Sequence, residues 1–169
     1  NFKEVYPRGS GAAGIISGDD SVLEYMVHFQ NTGTFQAENV VVIDTLDDNL
    51  QWNTLRPVYY SAQCQVELTQ VGTRKIAKFT FNNINLPPQT TDDLRSNGMF
   101  SYTIKTKPGL AIGTQFRNRA SIYFDYNAPV VTNTTLNTLG SPATDGVANS
   151  PIGSNNSSFS LYPNPASRS

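Results

Sequence analysis

The chain has 169 residues, enough for one domain with a proper core. Hydrophobic residues make up 38% and charged residues 15%, against roughly 25% charge in an average protein, and the shortfall is taken up by Asn, Thr, Ser and Gln, which favour turns and strands over helices. Twelve Lys plus Arg against 13 Asp plus Glu leave a net charge of −1, which excludes the basic excess a nucleic-acid partner requires, and no apolar run approaches the roughly 20 residues of a membrane-spanning helix, so no membrane span is expected.

Alternation with period two dominates, the pattern of strands half-buried against a core. Leu23, Tyr25, Val27 and Phe29 alternate with Glu24, Met26, His28 and Gln30. Asn31 to Thr34 then supplies a turn in which Gly33 is free to take positive φ. Val40 to Ile43 is a continuous β-branched run and predicts a central strand covered on both faces, with residues 44–49 closing it as a loop or a single helical turn. Val58, Tyr60, Ala62, Cys64, Val66 and Leu68 alternate with polar or aromatic neighbours through Thr69 and read as strand, with Cys64 on the apolar side.

A strand follows at Ile76 to Phe81, with Ala77, Phe79 and Phe81 inward. Residues 86–98 form a long polar connection that cannot be central sheet. Phe100, Tyr102 and Ile104 mark the next strand, ended by Lys107, Pro108 and Gly109. Phe116, Ala120, Ile122 and Phe124 mark another, with Arg117, Arg119, Ser121, Tyr123 and Asp125 outward, and Asn127-Ala128-Pro129 turns into a last strand at Val130 to Leu136. The pattern predicts an all-β fold, an immunoglobulin-like antiparallel β-sandwich of about seven to eight strands, with a jelly roll as the alternative. It occupies residues 1–139; residues 140–158, rich in Ser, Asn and Gly, read as a flexible linker.

The residues offer little catalytic chemistry. His28 is the only histidine and falls mid-strand on a polar face, and no Gly-x-Ser-x-Gly sequence presents a nucleophile. Cys64 is the only cysteine, so no intrachain disulfide forms, and its apolar setting predicts a buried, inert thiol. One His and one Cys exclude a structural zinc site. No cofactor is expected, and calcium is the one metal the acidic turns could take, through Asp19, Asp20, Asp44, Asp47, Asp48, Asp92, Asp93 and Asp125 at predicted strand ends; acidic turn residues otherwise cap turns. Trp52, Tyr59, Tyr123 and Tyr126 could offer flat faces to sugar rings, with core or cross-strand pairing as the competing role. A sequon stands at Asn133-Thr134-Thr135.

Five stretches carry a resemblance: residues 17–20 (SGDD), 25–34 (YMVHFQNTGT), 39–46 (NVVVIDTL), 79–87 (FTFNNINLP) and 120–130 (ASIYFDYNAPV). In this order they resemble the repeat-type immunoglobulin-like domain found near the C-terminus of large Bacteroidota surface proteins. After them, Leu161, Tyr162, Pro163, Asn164, Pro165 and Ala166 resemble the start of the C-terminal sorting signal of the type IX secretion system, so that residues 159–169 form a truncated sorting segment. The chain opens Asn1-Phe2-Lys3 without an initiator methionine and ends Ser-Arg-Ser, which reads as a piece of a longer precursor.

The resemblance implies a non-catalytic structural or adhesin-type spacer, secreted or held on the outer cell surface. Its partners would be the upstream domains of the same polypeptide, the secretion machinery, and a surface glycan or protein. The alternative is a glycan- or protein-binding accessory module of a secreted enzyme or adhesin. Asp20-Ser21-Val22 and Asp44-Thr45-Leu46 resemble the acceptor sequence of Bacteroidota O-glycosylation, which makes Ser21 and Thr45 candidate acceptors.

Overall fold

The alternation of Leu23, Tyr25, Val27 and Phe29 becomes the fully buried face of one nine-residue strand in the computed structural model, which describes residues 1–141. Twelve strands are present among the described residues, and no helix: β1 (Phe2–Tyr6), β2 (Ile15–Ile16), β3 (Val22–Gln30), β4 (Val40–Leu46), β5 (Leu50–Tyr60), β6 (Gln65–Val71), β7 (Arg74–Phe81), β8 (Asn97–Thr106), β9 (Gln115–Asn118), β10 (Ala120–Phe124), β11 (Val130–Val131) and β12 (Thr135–Leu139). They pair as a four-stranded sheet in the order β1-β3-β8-β5, a five-stranded sheet β11-β10-β4-β7-β6, and a three-stranded sheet β2-β12-β9. Every pairing is antiparallel except β2 with β12.

The two larger sheets face each other through aromatic rings. Phe79 of β7 lies 4.2 Å from Phe100 and 5.4 Å from Tyr102, both on β8, and Phe81 lies 5.3 Å from Phe29 of β3. Each such ring, removed from water, contributes about 1.5–3 kcal/mol, and offset contacts at these distances add to it. Ile16, Phe116 and Leu139 join the small sheet to the same core. Gly98, at the start of β8, has to be glycine: a Cβ there would stand 2.3 Å from the Phe29 ring.

Several expected boundaries move. The run at residues 58–69 is two strands: β5 ends at Tyr60, where Ser61 Oγ accepts from the Met99 N–H at 2.9 Å, and the chain crosses to the opposite sheet to form β6. Both are edge strands, so their apolar faces are only half covered. Phe116 and Ala120 also belong to different strands, because the chain changes sheet between β9 and β10, and it changes back between β11 and β12. Thr132 fixes the second crossing: its hydroxyl accepts from the Ala120 N–H at 3.0 Å and its own N–H donates to Ala120 O at 2.9 Å. The last predicted strand, Val130 to Leu136, is thereby split in two.

The run Val40 to Ile43 is central in its sheet, yet only Val40 and Val42 are fully buried; Val41 and Ile43 are half-buried on the outer face. Residues 44–46 continue β4 rather than forming a loop. Asn97 and Gly98 open β8 rather than ending the polar connection. The turn after β3 is held by Asn31, not by a positive φ at Gly33. The Asn31 Oδ1 accepts from Gly33 N–H at 3.0 Å and its Nδ2 donates to Phe35 O and Leu86 O at 2.8 and 2.9 Å. β1 was not foreseen at all: it pairs along β3 from Phe2 opposite His28 to Tyr6 opposite Glu24.

Candidate functional site: a lysine buried between the sheets

β1 places its lysine inside and its glutamate and aromatics outside. Phe2 stacks on His28 with ring centroids 4.3 Å apart, Tyr6 is exposed, and Lys3 and Val5 point into the sandwich. The backbone of Lys3 is clamped by the Asn133 side chain, whose Oδ1 accepts from Lys3 N–H at 2.8 Å and whose Nδ2 donates to Lys3 O at 2.9 Å. This amide replaces a neighbouring strand on the open side of β1 and fixes where the lysine enters the core.

Inside, Lys3 Nζ donates to Asp44 Oδ2 and, at 3.3 Å, to the Tyr102 hydroxyl. That hydroxyl donates to the same Asp44 oxygen at 2.6 Å and accepts from Asn118 Nδ2 at 3.1 Å. The ammonium also lies 4.8 Å from the centre of the Tyr25 ring and 5.5 Å from that of Tyr102, within cation–π range. Lys3, Tyr25, Asp44, Tyr102 and Asn118 are each 2% exposed or less, and they come from β1, β3, β4, β8 and β9, so the cluster ties all three sheets together. The Tyr25 hydroxyl, Asp44 Oδ1 and Asn118 Oδ1 are buried without a hydrogen-bond partner.

Burial dominates the electrostatics. Desolvation lowers the proton affinity of Lys3, opposed by the charge and hydrogen bond of Asp44. Burial, reinforced by the Asp44 charge, pushes the phenols of Tyr25 and Tyr102 up. Taking an ammonium and a carboxylate out of water costs several kcal/mol per ion, and their attraction offsets this only where hydrogen bonds satisfy the remaining groups. Here three buried oxygens stay unpaired, so the arrangement is expensive for a purely structural contact.

The residues singled out in the sequence do not converge on a second site. Asp44, grouped with the acidic turns, is in the core. The others are satisfied separately: Asp20 Oδ2 accepts from Ser17 N–H at 3.0 Å, and Asp47 accepts from Asn49 N–H at 2.8 Å and Arg117 N–H at 3.0 Å. Asp92 caps Arg95 N–H at 3.0 Å, and Asp93 accepts from Gln30 Nε2 at 3.0 Å. Asp125 is a left-handed turn residue (φ 50°) instead of an outward strand position, its two oxygens accepting from the N–H groups of Asn39 and Glu38 at 2.7 and 3.2 Å. Among the described residues no group of three or more His, Cys, Asp or Glu is placed to hold a metal ion.

Trp52 and Tyr59 lie on β5 while Tyr123 and Tyr126 lie on or beside β10 in the opposite sheet, so the four rings form no common platform. Ser21 and Thr45 are exposed. Leu161, Tyr162, Pro163, Asn164, Pro165 and Ala166 lie outside the described residues, as do the linker and sorting segment from residue 142 onward.

Cys64 is half-buried rather than buried, and burial raises its thiol to about 11. Against the 9.0 of an unperturbed thiol, this leaves roughly a hundredfold less thiolate at pH 8. Alkylation by iodoacetamide should therefore be slow at pH 8 relative to the urea-unfolded chain and should accelerate as pH rises toward that value. Equal rates for folded and unfolded protein would contradict this.

Lys3 and Asn118 escaped the sequence reading. The signal that could have found Lys3 is the inverted phase of residues 2–6, where apolar Phe2 and Tyr6 share a face and Lys3 shares the other with Val5.

Two facing antiparallel sheets sealing one aromatic core, with a third small sheet at the side, define an immunoglobulin-like β-sandwich. Residues 3–138 match the family described as "Domain of unknown function (DUF7619)", and the chain belongs to that family. No curated protein matches the chain. Among solved structures it is similar to the C-terminal domain of the Streptococcus agalactiae AgI/II polypeptide BspA, at 14% identity and a TM-score of 0.57 over 84% of this chain and 50% of that one. It is also similar to the Corynebacterium diphtheriae major pilin SpaA, at 14% identity and a TM-score of 0.52 over 79% of this chain and 37% of that one; the SpaA structure is described as pointing to a modular pilus assembly stabilizing isopeptide bonds. The chain thus spans half or less of these proteins, and what it shares with them is the fold.

Proposed function

We propose that this domain is a non-catalytic, load-carrying spacer of the adhesin type, near the C-terminus of a larger secreted or cell-surface bacterial protein. The observation that carries the reading is where its polar chemistry lies: among the described residues, Lys3, Tyr25, Asp44, Tyr102 and Asn118 form a cluster, each 2% exposed or less, that braces three sheets from inside. A fold shared with the C-terminal domain of an AgI/II polypeptide and with a major pilin supports it. In this reading the sandwich of residues 1–139 stands between upstream domains and a linker (140–158), and Leu161 to Ala166 begin a type IX sorting tag that hands the protein to the secretion machinery.

Ser21 and Thr45 are the proposed O-glycan acceptors. Ser21 is the one that the folded protein presents with its motif intact, because the Asp44 beside Thr45 is locked in the core.

Residues 140–169, followed by their natural downstream extension, should carry a fluorescent reporter outside a host that has type IX secretion. Retention of the reporter in the periplasm would overturn the targeting half of the reading. Turnover of any glycan or peptide substrate by the isolated domain would overturn the structural half.

A further inference from the structure

We propose that the buried cluster is a covalent cross-link site, in which Lys3 Nζ and the Asn118 side chain form an intramolecular amide with Asp44 as the proton acceptor. The geometry supplies each part. Lys3 Nζ and Asn118 Nδ2 both hydrogen-bond the Tyr102 oxygen, at 3.3 and 3.1 Å, so the amine and the carboxamide are held against the same phenol oxygen. Asp44 Oδ2 accepts directly from Nζ and from the Tyr102 hydroxyl. All four side chains are 2% exposed or less, so water neither solvates the amine nor competes as a nucleophile.

The acyl partner is Asn118 and not Asp44. An ionised carboxylate repels a nucleophile, whereas the Asn118 carboxamide is neutral and its carbonyl oxygen has no partner to give up. Burial already works against the ammonium form of Lys3, which favours passing one proton to Asp44. The neutral amine then attacks Asn118 Cγ. The Cγ–Nδ2 bond breaks, the second Nζ proton goes to the departing nitrogen, and ammonia leaves. Ammonium, carboxylate and carboxamide become a secondary amide, a neutral Asp44 and ammonia. No electron acceptor is needed, and no charge remains in the core.

The product would answer the cost noted above, since a charged pair with unpaired oxygens is replaced by neutral groups. It would also join β1 to β9 across sheets, so that tension applied between the two ends of the domain bypasses residues 4–117. The link deepens the structural reading of this domain and rests on it, but it is read by mass, so its absence would leave the secretion test untouched.

The test is the intact mass of the denatured full chain. The linked protein should be lighter than its sequence by one ammonia, about 17 Da. Because an acylated Lys3 is no longer a trypsin site, digestion should yield residues 1–8 joined to residues 118–119. Asn118→Ala leaves the Lys3–Asp44 pair in place and should fold with its full sequence mass. An unmodified wild-type mass would overturn the proposal. So would a loss of one water, about 18 Da, with residues 1–8 joined to 9–74, which would make Asp44 the acyl partner. A loss that persists in Asn118→Ala would overturn it as well.

Discussion

Replacing Lys3 by methionine in the Asn118→Ala background should destabilise the domain by about 3–5 kcal/mol, the cost of leaving a buried charge without its partner. The background matters because it removes the proposed acyl group and leaves the ion pair alone to be measured. Lys3 and Asp44 side chains are both 0% exposed, so no solvent reaches the carboxylate once the ammonium is gone. Methionine keeps most of the lysine volume, which confines the effect to charge. Adding Asp44→Asn should recover most of the loss, since the amide stays neutral and still accepts from the Tyr102 hydroxyl. Urea denaturation monitored by circular dichroism reads both values. A loss below about 1 kcal/mol, the range of exposed pairs, would show that the cluster is open to water.

Phe79→Ala should cost a similar amount, about 3–5 kcal/mol, through lost transfer energy and the cavity left behind. Phe79 is fully buried at the meeting of the two larger sheets, with Phe100 at 4.2 Å and Tyr102 at 5.4 Å. Tyr102 also holds Asp44 and Asn118, so the cavity would loosen the polar cluster as well as the core. Tyr126→Ala, at a fully exposed turn residue, is the control and should stay within about 0.5 kcal/mol. Equal urea midpoints for the two variants would mean that the aromatic stack carries none of the stability.

The inner faces of β3, β7 and β8 were legible because each is a regular strand with one face covered, and alternation then reports burial directly. Edge strands were half legible. β5 and β6 alternate without being deeply buried, and nothing local marks the turn at Ser61 where the chain changes sheet. The paired crossings β9 to β10 and β11 to β12 were invisible for the same reason, being set by hydrogen bonds between Ala120 and Thr132, 12 residues apart.

The site was not legible at all. Lys3 drew no reading and Asp44 read as one of the acidic turn residues, because a single buried charge is prohibitively costly and nothing local announces its partner. The sequence by itself determined an all-β sandwich and most of its apolar interior, since alternation is a local consequence of strand geometry. Only the tertiary structure decided that Lys3, Asp44 and Asn118 meet, because the burial of each is tolerable solely in the presence of partners that lie 16 to 99 residues away.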